Sequence, residues 1–300
     1  MNHQTDVLSH YSDALVDRAQ AAAAQVVAVR GDGCGHISGL IWDANLVATS
    51  EQSLIAQQEF EVVLPGGAVT KARAAGRDPG TNIALLRLAE PVGAPLHSAA
   101  SVKTGALALA YGANGEGGLT ARSGVIQESG PAWSSRQGGR IDGRIALDIR
   151  LSRREEGGPV FDARGGFLGM STFGTRGQVL VIPSETLSRI VPLLAQDGRI
   201  ARGWLGVKLQ PVAVPDTLQA EARQSSALMA MSIVENSPAA KAGLLAGDII
   251  LSIGSATAHR VRHLAAQLGP DSIGRTVDIR AIRAGTIQLM PLTVAEQPSA

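Results

Sequence analysis

Short apolar runs separated by turn-forming residues dominate the first 183 residues, and they constrain the fold more than any other feature of the sequence. Each run is long enough for a β-strand and too short for a typical helix. The residues between the runs include Gly, Asp, Asn and Pro, which favour turns. The runs cover residues 26–29, 37–42, 46–48, 60–64, 83–88, 107–111, 145–149, 167–170 and 179–182. Many short strands with frequent turns predict a closed β-barrel or a β-sandwich.

A short helix is predicted before these strands. Residues 11–24 are rich in alanine, and Leu15, Ala19 and Ala22 lie at helical spacing. This pattern predicts an amphipathic helix within an N-terminal segment, residues 1–24.

A second helix is predicted after the strands, where apolar side chains at residues 187, 190, 191 and 194 share one helical face. Gly198 follows this segment and is a typical helix stop. Pro192 is expected to kink or shorten the helix. We assign residues 184–200 to a linker helix.

The remaining sequence predicts a small α+β domain over residues 201–296. Three further strands are expected at residues 227–234, 249–253 and 277–282. Between them, residues 237–244 predict a turn with a short helix, and the apolar positions of residues 261–268 predict another helix.

Composition and charge exclude several classes of function. The chain has 27 basic and 26 acidic side chains with no basic stripe, so no nucleic-acid partner is expected. Cys34 is the only cysteine, which excludes an intramolecular disulfide. No Cys/His spacing resembles a zinc site, and we expect neither a metal nor another cofactor.

The sequence also predicts a location. The first eighteen residues have neither a basic region nor a continuous apolar region, and so do not resemble a signal peptide. No apolar stretch approaches the roughly 20 residues of a membrane-spanning helix. We therefore expect a cytoplasmic protein without a membrane span.

Residues 155–161 have the sequence Glu-Glu-Gly-Gly-Pro-Val-Phe. This segment resembles the HtrA family of trypsin-like serine proteases, because it matches the second half of the family's Gly-Asn-Ser-Gly-Gly-Pro motif. Glu156 stands at the position of the catalytic serine. Arg154 replaces the glycine whose N–H belongs to the oxyanion-hole loop.

Two further segments extend the resemblance. Residues 46–51 resemble the strand that ends at the family's catalytic histidine, and that position is Glu51. Residues 78–88 resemble the segment with the catalytic aspartate, and that position is Asn82. The resemblance implies a mainly β fold, with a trypsin-like double β-barrel over residues 25–183.

The C-terminal region resembles the PDZ domain of the same family. Trp204, Leu205, Gly206 and Val207 occupy the loop whose N–H groups bind a peptide carboxylate, and the strand after it binds the peptide. The resemblance implies exposed peptide segments or protein C-termini as partners. It also implies a homo-oligomer, as family members form trimers, although Tyr11 is the only aromatic residue of the N-terminal segment.

The replaced residues predict the loss of catalysis. Serine hydrolysis requires a hydroxyl nucleophile, a base and a carboxylate that orients the base. Glu51, Asn82 and Glu156 supply none of these roles. The first hypothesis is therefore an inactive HtrA-like pseudoprotease, which is not an enzyme and binds peptides through its PDZ domain.

The second hypothesis is an active HtrA-type serine endopeptidase with a displaced catalytic site. Four serines lie near the replaced positions and could supply the nucleophile, namely Ser50, Ser53, Ser152 and Ser171. Against it, His36 and His97 are the only histidines of residues 25–183. Neither lies in a segment that resembles the family's catalytic strand.

Glu51 and Glu156 allow three interpretations. They could act as paired carboxylates in acid/base chemistry, or as oxygen ligands of a metal ion. The third interpretation is structural: salt bridges to Arg153 or Arg154 would stabilise a closed cleft.

The remaining candidates are single residues. Cys34 and His36 are two residues apart and could share one face of a strand, which is a weak signal for a thiol-based site. His97 is expected at the surface, whereas His259 and His263 flank the predicted PDZ helix and could contact a peptide. Trp204 could cover the peptide groove or lie between the domains.

Overall fold

Two closed barrels, each of six antiparallel strands, dominate the N-terminal part of the computed structural model, which describes residues 6–33, 35–93, 102–135, 137–261, 264 and 267–298. The chain divides into two units. The first contains Met1–Trp133 and Ile141–Arg199, and the second contains Ser134–Arg140 and Ile200–Ala300. The bounds of the four segments predicted above, residues 1–24, 25–183, 184–200 and 201–296, stay predictions.

The first barrel has the strand order β1-β2-β3-β6-β5-β4. Its strands are β1 (Val26–Arg30), β2 (His36–Asp43), β3 (Leu46–Ser50), β4 (Glu59–Val63), β5 (Val69–Asp78) and β6 (Ile83–Leu88). Its interior is filled by aliphatic side chains and Phe60. Closure of the barrel leaves no free strand edge.

The second barrel has the order β11-β14-β13-β12-β7-β8. Its strands are β7 (Leu107–Ala113), β8 (Leu119–Gly130), β11 (Arg144–Leu147), β12 (Pro159–Asp162), β13 (Phe167–Phe173) and β14 (Val179–Pro183). A two-stranded sheet of β9 (Trp133–Ser134) and β10 (Arg140–Ile141) lies between β8 and β11 in the chain. The prediction of a mainly β double barrel is confirmed.

Ser38 of β2 joins the two barrels. Its Oγ donates to the carbonyl of Arg154 at 2.7 Å and accepts from the N–H of Ala113 at 2.9 Å. Its own N–H donates to the carbonyl of Glu156 at 3.0 Å. Because Ser38 is fully buried, these bonds fix the loop before β12 against the first barrel.

Two helices pack in the first unit, α1 (Val7–Ala23) and α2 (Ser184–Asp197). The first begins where Asp6 accepts a hydrogen bond from the N–H of Leu8. The second ends at Gly198, which has a left-handed backbone. Both helices were predicted, the first with a later start.

The prediction that Pro192 shortens α2 is wrong, because the helix continues for five residues beyond it to Asp197. Leu187, Ile190 and Leu194 are buried, whereas Pro192 lies on the exposed side. Burial of the apolar face therefore stabilises the helix. The carbonyl that loses its N–H partner to the proline lies on the side accessible to water.

The second unit is the predicted α+β module. Its main sheet has the order β16-β17-β18-β20-β21, with β19 paired to β18, and a separate ladder joins β15 to β22. Its strands are β15 (Gly203–Trp204), β16 (Val207–Ala213), β17 (Ser226–Ile233), β18 (Ile249–Ile253), β19 (Ala256–Thr257), β20 (Thr276–Arg283), β21 (Thr286–Thr293) and β22 (Ala295–Glu296). Its described helices include α3 (Asp216–Ala222) and α4 (Pro238–Lys241).

Replacement of Pro192 by alanine is expected to stabilise the first unit by about 1–2 kcal/mol, because α2 gains a hydrogen bond and a better helix former. Urea denaturation followed by tryptophan fluorescence measures the change. Gln196→Ala, an exposed change in the same helix, is the control and should stay within about 0.5 kcal/mol. Unchanged or lower stability in Pro192→Ala would show that the proline does not weaken α2.

Candidate functional site

The structure brings Glu51, Asn82 and Glu156 together between the two barrels. Glu51 begins a 3-10 helix, Glu51–Ser53, directly after β3, and its N–H donates to the carbonyl of Asn82 at 3.3 Å. Ser50 links the other two, since its Oγ lies 3.3 Å from Asn82 Oδ1 and 2.9 Å from Glu156 Oε1. The roles assigned to these residues stay predictions.

Glu156 is a buried carboxylate held by neutral donors. Its exposed fraction is 1%. Oε1 accepts hydrogen bonds from Ser50 Oγ at 2.9 Å, Gln52 Nε2 at 2.6 Å, Thr172 Oγ1 at 2.8 Å and the Phe173 N–H at 3.2 Å. Oε2 accepts a hydrogen bond from Ser53 Oγ. These bonds replace the water that burial removes from the charged group.

The predicted salt bridges from Glu156 or Glu51 to Arg153 or Arg154 are wrong. Both arginine side chains are exposed, and no cation pairs with Glu156 in the described part of the chain. The loop that begins at Arg153 is turned so that its carboxylates, not its guanidinium groups, face inward.

Glu51 has a separate partner. Its carboxylate lies 3.2 Å from the guanidinium of Arg77, which also donates to the carbonyls of Leu54 and Ile55. Because Glu51 and Glu156 are bound by different groups, the interpretation as paired carboxylates gains no support. Among residues that the structure describes, no cluster of three or more His, Cys, Asp or Glu could hold a metal ion.

Asn82 lies across the boundary between the barrels. Its backbone has φ 58°, a left-handed conformation that asparagine tolerates better than most residues. Its Nδ2 donates to Thr172 Oγ1 at 2.6 Å, and its Oδ1 accepts from the Gln52 N–H at 2.7 Å. The side chain therefore connects the turn before β6 to β13.

The two glycines after Glu156 are required by packing. A Cβ on Gly157 would overlap the carbonyl of Ser38, and one on Gly158 would overlap the carbonyl of Tyr111. The N–H of Gly157 donates to the carbonyl oxygen of Ser171 at 3.0 Å, so it already has an acceptor within the fold. The Gly-Gly-Pro match therefore reflects the packing of the barrels, independently of catalysis.

Glu155 stabilises the loop that contains Arg154. Burial disfavours its charged form, but hydrogen bonds from the Ser152 N–H and from Arg122 outweigh burial and hold the pKa of Glu155 below its usual range. Its carboxylate lies 3.0 Å from Arg122 Nε. This loop, a 3-10 helix over Arg153–Glu155, is consequently fixed to β8.

The four candidate serines differ in access. Ser50 and Ser171 are fully buried, and Ser152 is exposed. Ser53 is half-buried and donates to Glu156. Sequence reasoning named these serines but missed Gln52 and Thr172, whose side chains also bind Glu156.

The described histidines do not pair with these serines. His36 Nε2 bonds to the carbonyl of Ala113 at 2.9 Å. His259 Nδ1 lies 3.1 Å from Ser226 Oγ at an exposed position of the second unit. Cys34, His97 and His263, named above as candidates, lie outside the described residues.

The second unit contains the predicted peptide-binding loop. Gly206 has φ 74°, and the carbonyls of Leu205 and Gly206 accept from Ala239 and Val234 at 2.9 and 2.7 Å. The N–H groups of Leu205 and Gly206 donate to no other residue that the structure describes. Two successive N–H groups of this kind form a nest for an anion.

An apolar groove begins at this loop. β16 is an outer strand of its sheet, so one of its edges is not paired within the sheet. The groove is lined by Trp204, Leu205, Val207, Leu209, Val261, Leu264 and Leu268, among others. Trp204 is half-buried and is one of the residues that line this groove.

The fold and the two sites define a trypsin-like peptidase unit followed by a PDZ domain. The family model for the trypsin-like peptidase domain matches residues 37–170, and the model for the PDZ domain matches residues 203–294. Together with the relatives below, this combination supports the resemblance to the HtrA family.

Curated relatives cover nearly the whole chain. It is 27% identical over 270 residues to a "Probable periplasmic serine endoprotease DegP-like" of Brucella suis biovar 1, covering 87% of this chain and 52% of the relative. A protein of the same name from Rhizobium meliloti is 25% identical over 279 residues, covering 90% and 54%. The chain thus spans about half the length of these relatives.

Solved structures have the same fold. "HtrA-type protease AlgW with decapeptide" gives a TM-score of 0.75 at 22% identity, covering 95% of this chain and 99% of that one. The serine endoprotease from Yersinia pestis gives a TM-score of 0.74 at 21% identity, covering 95% and 98%.

Two predictions are corrected by these relatives. The prediction that the chain is not an enzyme is contradicted, because the relatives are named serine endoproteases and no finding shows that the site is inactive. It depended on three replaced positions, and such replacements do not exclude a nucleophile elsewhere in the cleft. The cytoplasmic location is contradicted as well, because the relatives are named periplasmic.

Within the described ranges, no helix has the length and apolar character needed to cross a membrane.

The low pKa of Glu155 predicts how stability depends on pH. A carboxylate with a lowered pKa contributes stability above about pH 4.5, and this contribution is lost as the pH falls through its folded-state pKa. Glu155→Gln should therefore destabilise the first unit by about 1–2 kcal/mol at pH 7. The difference from wild type should shrink towards pH 3, measured by urea denaturation across this range. An equal difference at both pH values would show that charge is not involved.

Proposed function

We propose that this chain is an HtrA-type serine endopeptidase with a displaced catalytic site, which captures peptide segments or protein C-termini through its PDZ domain. The endopeptidase class is supported by the relatives that cover most of the chain. Their names also support a periplasmic location.

The anion nest at the start of the groove is the observation that carries peptide capture. The free N–H groups of Leu205 and Gly206 offer two donors to a terminal carboxylate. The open edge of β16 then pairs with the backbone of the last residues. In this mode, main-chain hydrogen bonds supply affinity and side-chain pockets supply specificity.

The groove favours an apolar residue at the end of the peptide. Leu205, Leu264 and Leu268 line it beside the nest, and Val261 lies at its margin with 44% of its surface exposed. An apolar side chain bound here gains roughly 25 cal/mol for each Å² removed from water.

The cleft between the barrels is the proposed site of hydrolysis. Glu51, Asn82 and Glu156 cannot form a Ser-His-Asp triad, so the nucleophile must come from another residue of the cleft. Ser50 and Ser53 both donate to Glu156 there. Hydrolysis in the first unit and capture in the second give the chain the two functions of an HtrA-type endopeptidase.

Covalent labelling tests the endopeptidase class. The wild-type protein should react with a fluorophosphonate probe at one serine of the first unit and should digest casein. Boiled protein is the control for labelling that does not depend on the fold. The absence of both labelling and digestion would refute the endopeptidase proposal.

A peptide array tests capture separately. Peptides with an apolar last residue and a free carboxylate should bind, and C-terminal amidation should weaken binding at least about tenfold, because the nest loses its charged partner. Val261→Asp should weaken binding by a similar factor.

The choice of variants follows from the loop geometry. A side chain at Gly206 would overlap Ser237, so a change there would disturb the domain itself. Val261 and Leu289 are both exposed, and Leu289 on β21 does not line the groove. Leu289→Asp is therefore the matched control and should bind normally. Equal binding of free and amidated peptides would contradict the role of the nest.

A further inference from the structure

Among the four candidate serines, Ser53 alone combines accessibility with a hydrogen bond to a carboxylate. It is half-buried, whereas Ser50 and Ser171 are fully buried and inaccessible to a substrate. It also donates to a carboxylate oxygen, whereas the exposed Ser152 has no side-chain contact with Glu156. A nucleophile requires both access and a base.

The two oxygens of Glu156 have different surroundings. Oε1 accepts four hydrogen bonds, from the donors described above, and these fix the plane of the carboxylate. Oε2 accepts from Ser53 Oγ, which is its only partner among the described residues. One oxygen is thus held by the fold, and the other faces a single hydroxyl.

A catalytic triad uses one residue to remove the proton of the nucleophile and another to orient that base, whereas here Glu156 needs no second residue of this kind. In a Ser-His-Asp triad, the aspartate orients the histidine and the histidine removes the proton. Here, four donors orient Glu156, and its second oxygen is placed to remove the proton from Ser53. A carboxylate can act as a general base when it lies within hydrogen-bond reach of that proton.

A concave surface adjoins Ser53. The cavity beside it is lined mainly by apolar groups, among them Val29, Ile37, Leu54 and Phe60. It is open to solvent, and Ile55 at its margin has 47% of its surface exposed. A substrate side chain in this cavity would bring the adjoining peptide bond to the hydroxyl.

We propose that Ser53 is the nucleophile and Glu156 the general base of this chain, an inference that rests on the proposed endopeptidase function. Ser53 Oγ attacks the carbonyl carbon of the peptide bond, and its proton passes to Glu156 Oε2. The C–N bond then breaks, the proton passes to the leaving amine, and an ester to Ser53 remains. A water molecule then gives a proton to Glu156 and attacks the carbonyl carbon of the ester. The bond from this carbon to Ser53 Oγ breaks, and Glu156 returns the proton to Ser53 Oγ.

The experiment compares four full-length proteins by fluorophosphonate labelling and casein digestion: wild type, Ser53→Ala, Glu156→Gln and Ser152→Ala. Labelling should map to the peptide that contains Ser53, by mass spectrometry. Ser53→Ala should lose labelling, and both Ser53→Ala and Glu156→Gln should lose at least about 100-fold in digestion. Ser152→Ala should match wild type, because its side chain lies outside the proposed pair.

Folding is tested in parallel, because both variants change a buried network. Thermal unfolding should be cooperative for each protein. Should Ser53→Ala unfold, Ser53→Cys preserves a donor of similar size. It should fold, lose the fluorophosphonate label and react with iodoacetamide at residue 53.

The outcomes separate this inference from the proposed function. Wild-type protein labelled at another serine, with full activity in folded Ser53→Ala, would overturn the assignment of Ser53 and leave the endopeptidase standing. If the wild-type protein is not labelled and does not digest casein, both the assignment of Ser53 and the proposed endopeptidase function are overturned. A label at Ser53 with unchanged digestion in Glu156→Gln would overturn the role of the base.

Discussion

The cleft depends on the hydrogen bonds that hold the buried carboxylate of Glu156. An isolated charge at 1% exposure would cost several kcal/mol, and no cation in the described residues offsets that cost. Five neutral donors do so instead, each contributing about 1.5–3 kcal/mol as a hydrogen bond to a charged group. Since these donors come from both barrels, the network also fixes the barrels against each other.

Much of the fold could be predicted because its signal is local. The buried strands β1, β3, β6 and β14 are nearly continuous apolar runs, which sequence patterns detect well. β8 was missed, since nearly all of its residues are half-buried or exposed and many are polar. Its pairing with β7 and β11, rather than an apolar pattern, defines it as a strand.

The site was predicted less completely than the fold. The positions of Glu51, Asn82 and Glu156 came from motif resemblance, and they do meet in the structure. Their partners could not be predicted, because Gln52 and Ser53 reach Glu156 across more than 100 residues of sequence. The inward turn of Glu155 and Glu156, which leaves Arg153 and Arg154 outside, depends on this tertiary packing and has no local signature.

The separation of these partners along the chain has a consequence for folding. Ser50, Gln52 and Ser53 lie in one barrel, and Glu156 lies 103–106 residues later in the other. Such contacts form only after the long intervening loop has closed, at an entropic cost that slows folding. The hydrogen bonds can therefore offset the cost of burying the carboxylate only when both barrels are largely complete. Assembly of the cleft is consequently expected to be a late step, and the unpaired glutamate would keep partly folded chains hydrated at this surface until then.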